Sequence, residues 1–104
     1  MLLTNAFSLN MIASFPSNPM CEEISVSEVR DMIGEGFQSA VGHADTASVF
    51  SDVLGLHVPM VRSTVSLKKG DVVIIGQYRG PRLTEGTTRL PEGATIQWIK
   101  LTVK

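Results

Sequence analysis

The sequence predicts an α+β fold: a mixed sheet of about five strands flanked by two main helices. Three observations carry that reading. Val72-Val73-Ile74-Ile75 is a run of consecutive β-formers, which marks a buried strand rather than a half-exposed one. Ser25 and Glu28 stand at capping-box spacing, followed by Val26, Val29 and Ile33 on one helical face. Val61, Ser63, Val65 and Leu67 alternate with Arg62, Thr64 and Ser66, a period-two pattern that predicts another strand.

In order along the chain, Met1 to Phe7 is expected as a buried N-terminal strand. Ser8 is a candidate N-cap for a short helix that ends before Pro16. A loop over Pro16 to Pro19 leads to a short strand at Cys21–Ile24, and the capped helix after Ser25 stops at Gly34 and Gly36. Phe37 to Val41 is a further short strand, with Gly42-His43 as the turn beyond it. Asp45 to Leu54 predicts a second amphipathic helix, with Ala47, Phe50, Val53 and Leu54 inward and Gly55 as its C-cap. Lys68-Lys69-Gly70-Asp71 is expected to turn the alternating strand into the apolar one as a hairpin. Gly76 and Gly80-Pro81 interrupt the apolar strand, so Gln77 to Gly86 is expected as a loop. Pro91-Glu92-Gly93 turns the chain into a last strand, Thr95 to Val103.

A chain of 104 residues fits one domain, spanning 1–104. Its core is small, so dimerisation to cover an apolar face is expected. One cysteine, Cys21, excludes an internal disulfide, and with two histidines it excludes a Cys/His zinc cluster. A reducing cytoplasm is the expected setting. The first sixteen residues carry no charge, yet they lack a basic leader region, and Thr4, Asn5, Ser8 and Asn10 interrupt any apolar segment. No run approaches membrane-spanning length. Net charge is −1, but residues 1–61 hold Arg30 alone against seven acidic side chains, whereas residues 62–104 hold eight basic against three acidic. That imbalance does not describe a genome-binding protein; it suits a local site for a small anion, or no site.

No phosphate-binding glycine loop, nucleophile elbow or paired-histidine metal motif is present, and no metal or cofactor is expected. The chemistry-bearing residues are arginine, histidine and carboxylate. Gln77 to Gly86 presents Gln77, Tyr78, Arg79, Arg82 and Glu85, either as a solvated loop or as a phosphate-holding one, since arginine grips phosphate through a planar fork of donors. His43 precedes a helix start, where backbone N–H groups favour an anion and an imidazole can donate a proton. It is also readable as a capping or partly buried structural histidine. Asn5, Ser8 and Asn10 are capping and turn residues, or ligand contacts at a strand end. Arg82-Leu83-Thr84-Glu85-Gly86 is echoed seven residues later by Arg89-Leu90-Pro91-Glu92-Gly93, and side-chain chemistry alone does not choose between the copies.

Three segments, Asn5 to Met11, Gly42-His43-Ala44-Asp45-Thr46 and Gln77 to Gly86, resemble in order and spacing the viral anti-CRISPR ring nucleases of type III immunity and their cellular relatives. The resemblance covers essentially the whole chain. It implies a homodimer that binds cyclic tetra-adenylate and cleaves it without metal to linear di-adenylate ending in cyclic phosphate. It implies His43 as the catalytic histidine, and Arg82 and Glu85 as the arginine and glutamate of an Arg-Leu-x-Glu-Gly motif, which selects the first copy of the echo. Asn5, Ser8, Asn10 and Gln77 match ligand-binding positions; Arg79 falls in a spacer whose length differs from some relatives. The alternative reading is a module that holds a cyclic nucleotide or another nucleic acid without cleaving it.

Overall fold

The apolar run at Val72 is the middle of the sheet. The computed structural model describes residues 1–104. Its elements are β1 (Leu2–Thr4), a 3-10 turn (Leu9–Met11), β2 (Pro19–Ile24), α1 (Val26–Ile33), β3 (Gln38–Ala40), α2 (Ala44–Leu54), β4 (Val72–Arg79) and β5 (Thr95–Val103). The five strands form one sheet in the order β2-β5-β4-β1-β3. Strand β1 pairs in parallel with both β3 and β4, whereas β5 is antiparallel to β4 and to β2. The predicted α+β class with a mixed sheet and two helices is therefore the observed one.

Strand alternation sends Leu3, Ile74 and Trp98 to one face, where they meet Val29 and Ile33 of α1 and Ala47, Phe50 and Leu54 of α2. Each fully buried valine, leucine, isoleucine or phenylalanine among them stabilises by about 1.5–3 kcal/mol before conformational entropy is subtracted. The other face carries Val73, Ile75, Leu101 and Val103 and meets no helix. Ile12 and Leu67 close part of it, with Phe7, Met11, Val65 and Ile99 half-buried alongside. No helix is long and apolar enough to cross a membrane.

Both helices are fixed at their ends by the residues the sequence nominates. Ser25 Oγ accepts from the Glu28 amide and Glu28 Oε1 accepts from the Ser25 amide, each at 3.1 Å, which completes the capping box. Helix α2 ends on Gly55, whose φ of +71° is the left-handed turn that favours glycine. Arg30 of α1 donates to the carbonyls of Val53 and Leu54 at 2.8 and 3.0 Å. It thereby puts a cation on the last, otherwise unpaired carbonyls of α2 and ties the two helices together.

Four expectations are corrected. Residues 61–67 form no strand. Val61 N–H donates to Val41 O, and Leu67 exchanges backbone bonds with Met11 and Ala13, leaving the stretch between them without a ladder. Alternation is a property of the chain, whereas a ladder needs a neighbouring edge, and β3 offers only three residues of one. Lys68–Asp71 is consequently a turn, with Asp71 Oδ2 accepting from the Lys68 amide at 2.9 Å, but not a hairpin between paired strands. The N-terminal strand stops at Thr4 rather than Phe7.

The fourth correction concerns β4, which continues through Gly76 to Arg79, so Gln77, Tyr78 and Arg79 belong to the sheet. Gly76 lies opposite Trp98 in the ladder. A Cβ there would fall 2.5 Å from Phe50 Cζ and 2.6 Å from Trp98 Cζ3. The glycine is an opening for two aromatic rings, whose centroids are 4.9 Å apart, and not a strand exit.

Candidate functional site

Because β1, β3 and β4 are mutually parallel, their C-terminal ends gather at one end of the sheet, where ligands bind in sheets of this kind. The chain leaves β3 through Val41 and Gly42 and enters α2 at His43. The Gly42 peptide is held from both sides: Asn5 Oδ1, just past β1, accepts from its N–H at 3.3 Å, and Arg62 Nε donates to its carbonyl at 3.0 Å. His43 occupies the N-cap position with φ −131° and ψ 131°, and its carbonyl accepts from the Ala47 amide at 2.9 Å. Its imidazole makes no capping bond and is exposed. The capping role that spacing allows for the side chain is therefore not the one it takes.

On the helix-bearing side of this end, His43, Asp45 and Thr46 of the α2 start face Tyr78, Gly80, Arg82 and Leu83 across an open cavity of about 530 Å³. His43 and Arg82, distant in sequence, thus share one concavity. Tyr78 Oη donates to the Pro81 carbonyl at 2.6 Å, which folds the chain back over the end of β4. Gly80 is required by close approach, since a Cβ there would lie 2.6 Å from Ala94 Cβ and 2.9 Å from Tyr78 Oη. Arg82 enters no hydrogen bond or ion pair within the chain, and neither does Glu85; the only ion pair joins Lys100 and Glu22 at 4.0 Å. Arg82 and Glu85 do not contact each other as a salt bridge. Arg82 is left with all its donors available to an anion.

The echoed motifs have a shared local cause. Thr84-Glu85-Gly86-Thr87 is a turn closed by Thr87 N–H on Thr84 O, and Pro91-Glu92-Gly93-Ala94 is one closed by Ala94 N–H on Pro91 O. Gly86 and Gly93 take φ of +86° and +82°, which a glycine in the third turn position supplies. The copies diverge in surroundings: the Gly86 amide donates to Asp45 Oδ1 at 3.1 Å, whereas the second turn feeds into β5. Arg89 is exposed and lines none of the site. Glu85 stands at the corner of the first turn, beside the cavity rather than in its wall.

Gln77 and Arg79 alternate with Tyr78 and therefore emerge on the opposite, helix-free face. There Asn5 and Gln77 line a second, more apolar hollow of about 510 Å³ with Phe7, Cys21, Ile75 and Ile99. The Arg79 guanidinium donates to Gln97 Oε1 at 3.0 Å, and Gln97 Nε2 donates to Glu23 Oε2 at 3.2 Å, a chain across three strands. Ser8, which precedes the 3-10 turn, and Asn10 within it are exposed, and Ser8 makes no side-chain cap. The sequence-nominated residues are thus divided between two faces, joined at Asn5 and Gly42. Sequence reasoning did not single out Asp45, Thr46, Arg62, Gln97 or Glu23. Asp45 and Thr46 lay within a recognised motif; Arg62 carried no local signal of its contact with Gly42. No three His, Cys, Asp or Glu side chains are grouped so as to hold a metal ion.

A five-stranded mixed sheet with both helices on one face and a polar cleft at the parallel strand ends defines a class of small α+β proteins, and within it the chain belongs to the STIV B116-like family, which matches residues 1–98. Two relatives are viral proteins. B116 of Sulfolobus turreted icosahedral virus has a solved structure that superposes with a TM-score of 0.78 at 26% identity, covering 97% of each chain. Uncharacterized protein 26 of Sulfolobus islandicus filamentous virus (isolate Iceland/Hveragerdi) is 29% identical over 80 residues, 76% of this chain. The matched region spans 61% of that relative's length.

Proposed function

We propose that the protein is a ring nuclease that binds cyclic tetra-adenylate and cleaves it without metal, switching off the antiviral signalling of type III CRISPR systems in the cytoplasm. The observation that carries the reading is the shared cavity of His43 and Arg82 at the start of α2. A ribonucleotide ring brings its own nucleophile, the ribose 2′-hydroxyl. The protein has to align it with the leaving 5′-oxygen, stabilise the charge on the phosphorus centre and protonate the leaving group. The unpaired Arg82 guanidinium suits the charge and the exposed His43 imidazole suits the proton. Glu85, one residue before the amide held by Asp45, serves to accept the hydroxyl proton or to orient Arg82 once phosphate is bound. Asn5, Ser8, Asn10, Gln77 and Arg79 contact the ring from the other side of the sheet end.

The working unit in this proposal is a homodimer joined through the helix-free face. That face leaves Cys21 exposed and Phe7 and Ile99 only half-buried, an apolar surface that a second copy would cover. Two copies facing one another would bring Asn5, Gln77 and Arg79 of both toward one two-fold axis, matching a ring of the same symmetry. The test is product analysis: purified protein with cyclic tetra- and hexa-adenylate in excess chelator. Conversion of the tetramer ring to linear di-adenylate with cyclic phosphate ends is expected. Recovery of intact, protein-bound ring would instead identify a non-catalytic binding module.

A further inference from the structure

We infer that Asp45 is a positioning residue whose carboxylate clamps the Arg82–Glu85 loop to the start of α2, setting the distance between that loop and His43. The loop is hydrogen-bonded to the body of the protein at two points only. Near its beginning Tyr78 Oη donates to Pro81 O at 2.6 Å, and at its end the Gly86 amide donates to Asp45 Oδ1 at 3.1 Å. Between them Arg82, Leu83, Thr84 and Glu85 make no hydrogen bond outside the loop's own Thr84–Thr87 turn. Removing the second anchor frees the segment that carries both Arg82 and Glu85.

An acidic residue in the first turn of a helix has a commoner explanation, favourable interaction with the helix dipole. Two features point past it. Asp45 accepts from no amide of its own helix; its partner is forty-one residues away. It also lies two residues after His43, so the rigid start of α2 carries the histidine and the loop's tether together. A bond to this amide needs an acceptor, not a charge, and that separates the two explanations: asparagine keeps the acceptor and loses the dipole interaction.

The kinetic part of the inference rests on the proposed ring cleavage; the clamp itself does not. Both are read on the full-length protein carrying Asp45→Ala or Asp45→Asn. Hydrogen exchange at the Gly86 amide is expected to accelerate in the alanine variant and to return toward wild type in the asparagine one. Single-turnover cleavage of cyclic tetra-adenylate is expected to slow about tenfold with alanine, the scale of one lost hydrogen bond to a charged group, with asparagine regaining most of the loss. In an Arg82→Ala background the same change should cost much less. Should alanine melt far below wild type, Asp45→Ser, whose oxygen falls one bond short of Gly86, takes its place. Unchanged Gly86 exchange in the alanine variant, asparagine as slow as alanine, or an undiminished effect in the Arg82→Ala background would each overturn the inference. If the wild type cleaves no ring while Gly86 exchange responds as described, the clamp stands and the ring-nuclease reading falls.

Discussion

Replacing Gly76 with alanine tests the packing that sets α2, and with it His43, against β4. The added methyl would lie 2.5 Å from Phe50 Cζ, 2.8 Å from Phe50 Cε2 and 2.6 Å from Trp98 Cζ3, where ordinary contact begins at 3.4 Å. Neither ring has a free end to swing aside: Phe50 is 0% and Trp98 3% exposed, and their planes are inclined at 57° in mutual contact. Relief must come from moving α2 off the sheet or spreading β4 from β5. Overpacking of this kind costs about 1–3 kcal/mol, and two clashing rings put this case in the upper half of that range. For a domain of this size each kcal/mol lowers Tm by roughly 4–8 °C, so a fall of roughly 8–24 °C is expected. Circular dichroism melts at one protein concentration, with urea titrations beside them, measure it. A Gly76→Ala protein melting within about 2 °C of wild type would show that the two rings are not fixed as described.

Other outcomes follow from the same structure. Ser25→Ala removes one side of a complete capping box and should cost about 1 kcal/mol of stability with little change in ring binding; a change in binding without a change in Tm would contradict the separation of α1 from the site. Arg82→Ala should lower kcat/KM roughly 10- to 100-fold and weaken ring affinity as well, with lysine a partial rescue, while Arg89→Ala stays near wild type. Damage confined to the Arg89 variant would move the site to the second echo. Turnover should persist in excess chelator, and loss that magnesium or manganese restores would refute the metal-free mechanism.

Where the sequence was legible, a local cause was complete within a few residues. The capping box at Ser25 and Glu28 and the Gly55 cap depend on near neighbours, and both are as read. Residues 61–67 show the opposite case: their alternation is genuine, and Leu67 is indeed buried, but strand formation depended on an edge elsewhere in the chain. In the sequence Gly76 reads as punctuation, because a glycine's purpose in a strand lies in what packs over it. The division of the candidate site follows from the strand's true length, since a strand running to Arg79 puts Gln77 and Arg79 on one face and Tyr78 on the other. The echo at Arg89 turned out to be turn chemistry repeated. Asp45, Arg62 and Gln97 were invisible as site residues, because each acts through a contact that only the fold creates.

The central claim, that the cavity shared by His43 and Arg82 cleaves a cyclic oligoadenylate, is tested most directly by His43→Ala. A proton donor to the leaving oxygen acts mainly in the transition state, so the variant should bind cyclic tetra-adenylate with near wild-type affinity while single-turnover cleavage falls by about two orders of magnitude or more. The exposed imidazole makes no capping bond, so the melting temperature should stay close to that of the wild type. Affinity, cleavage rate and melting temperature are to be measured on the same preparation. A folded His43→Ala protein that binds the ring tightly and still cleaves it at the wild-type rate would contradict the account.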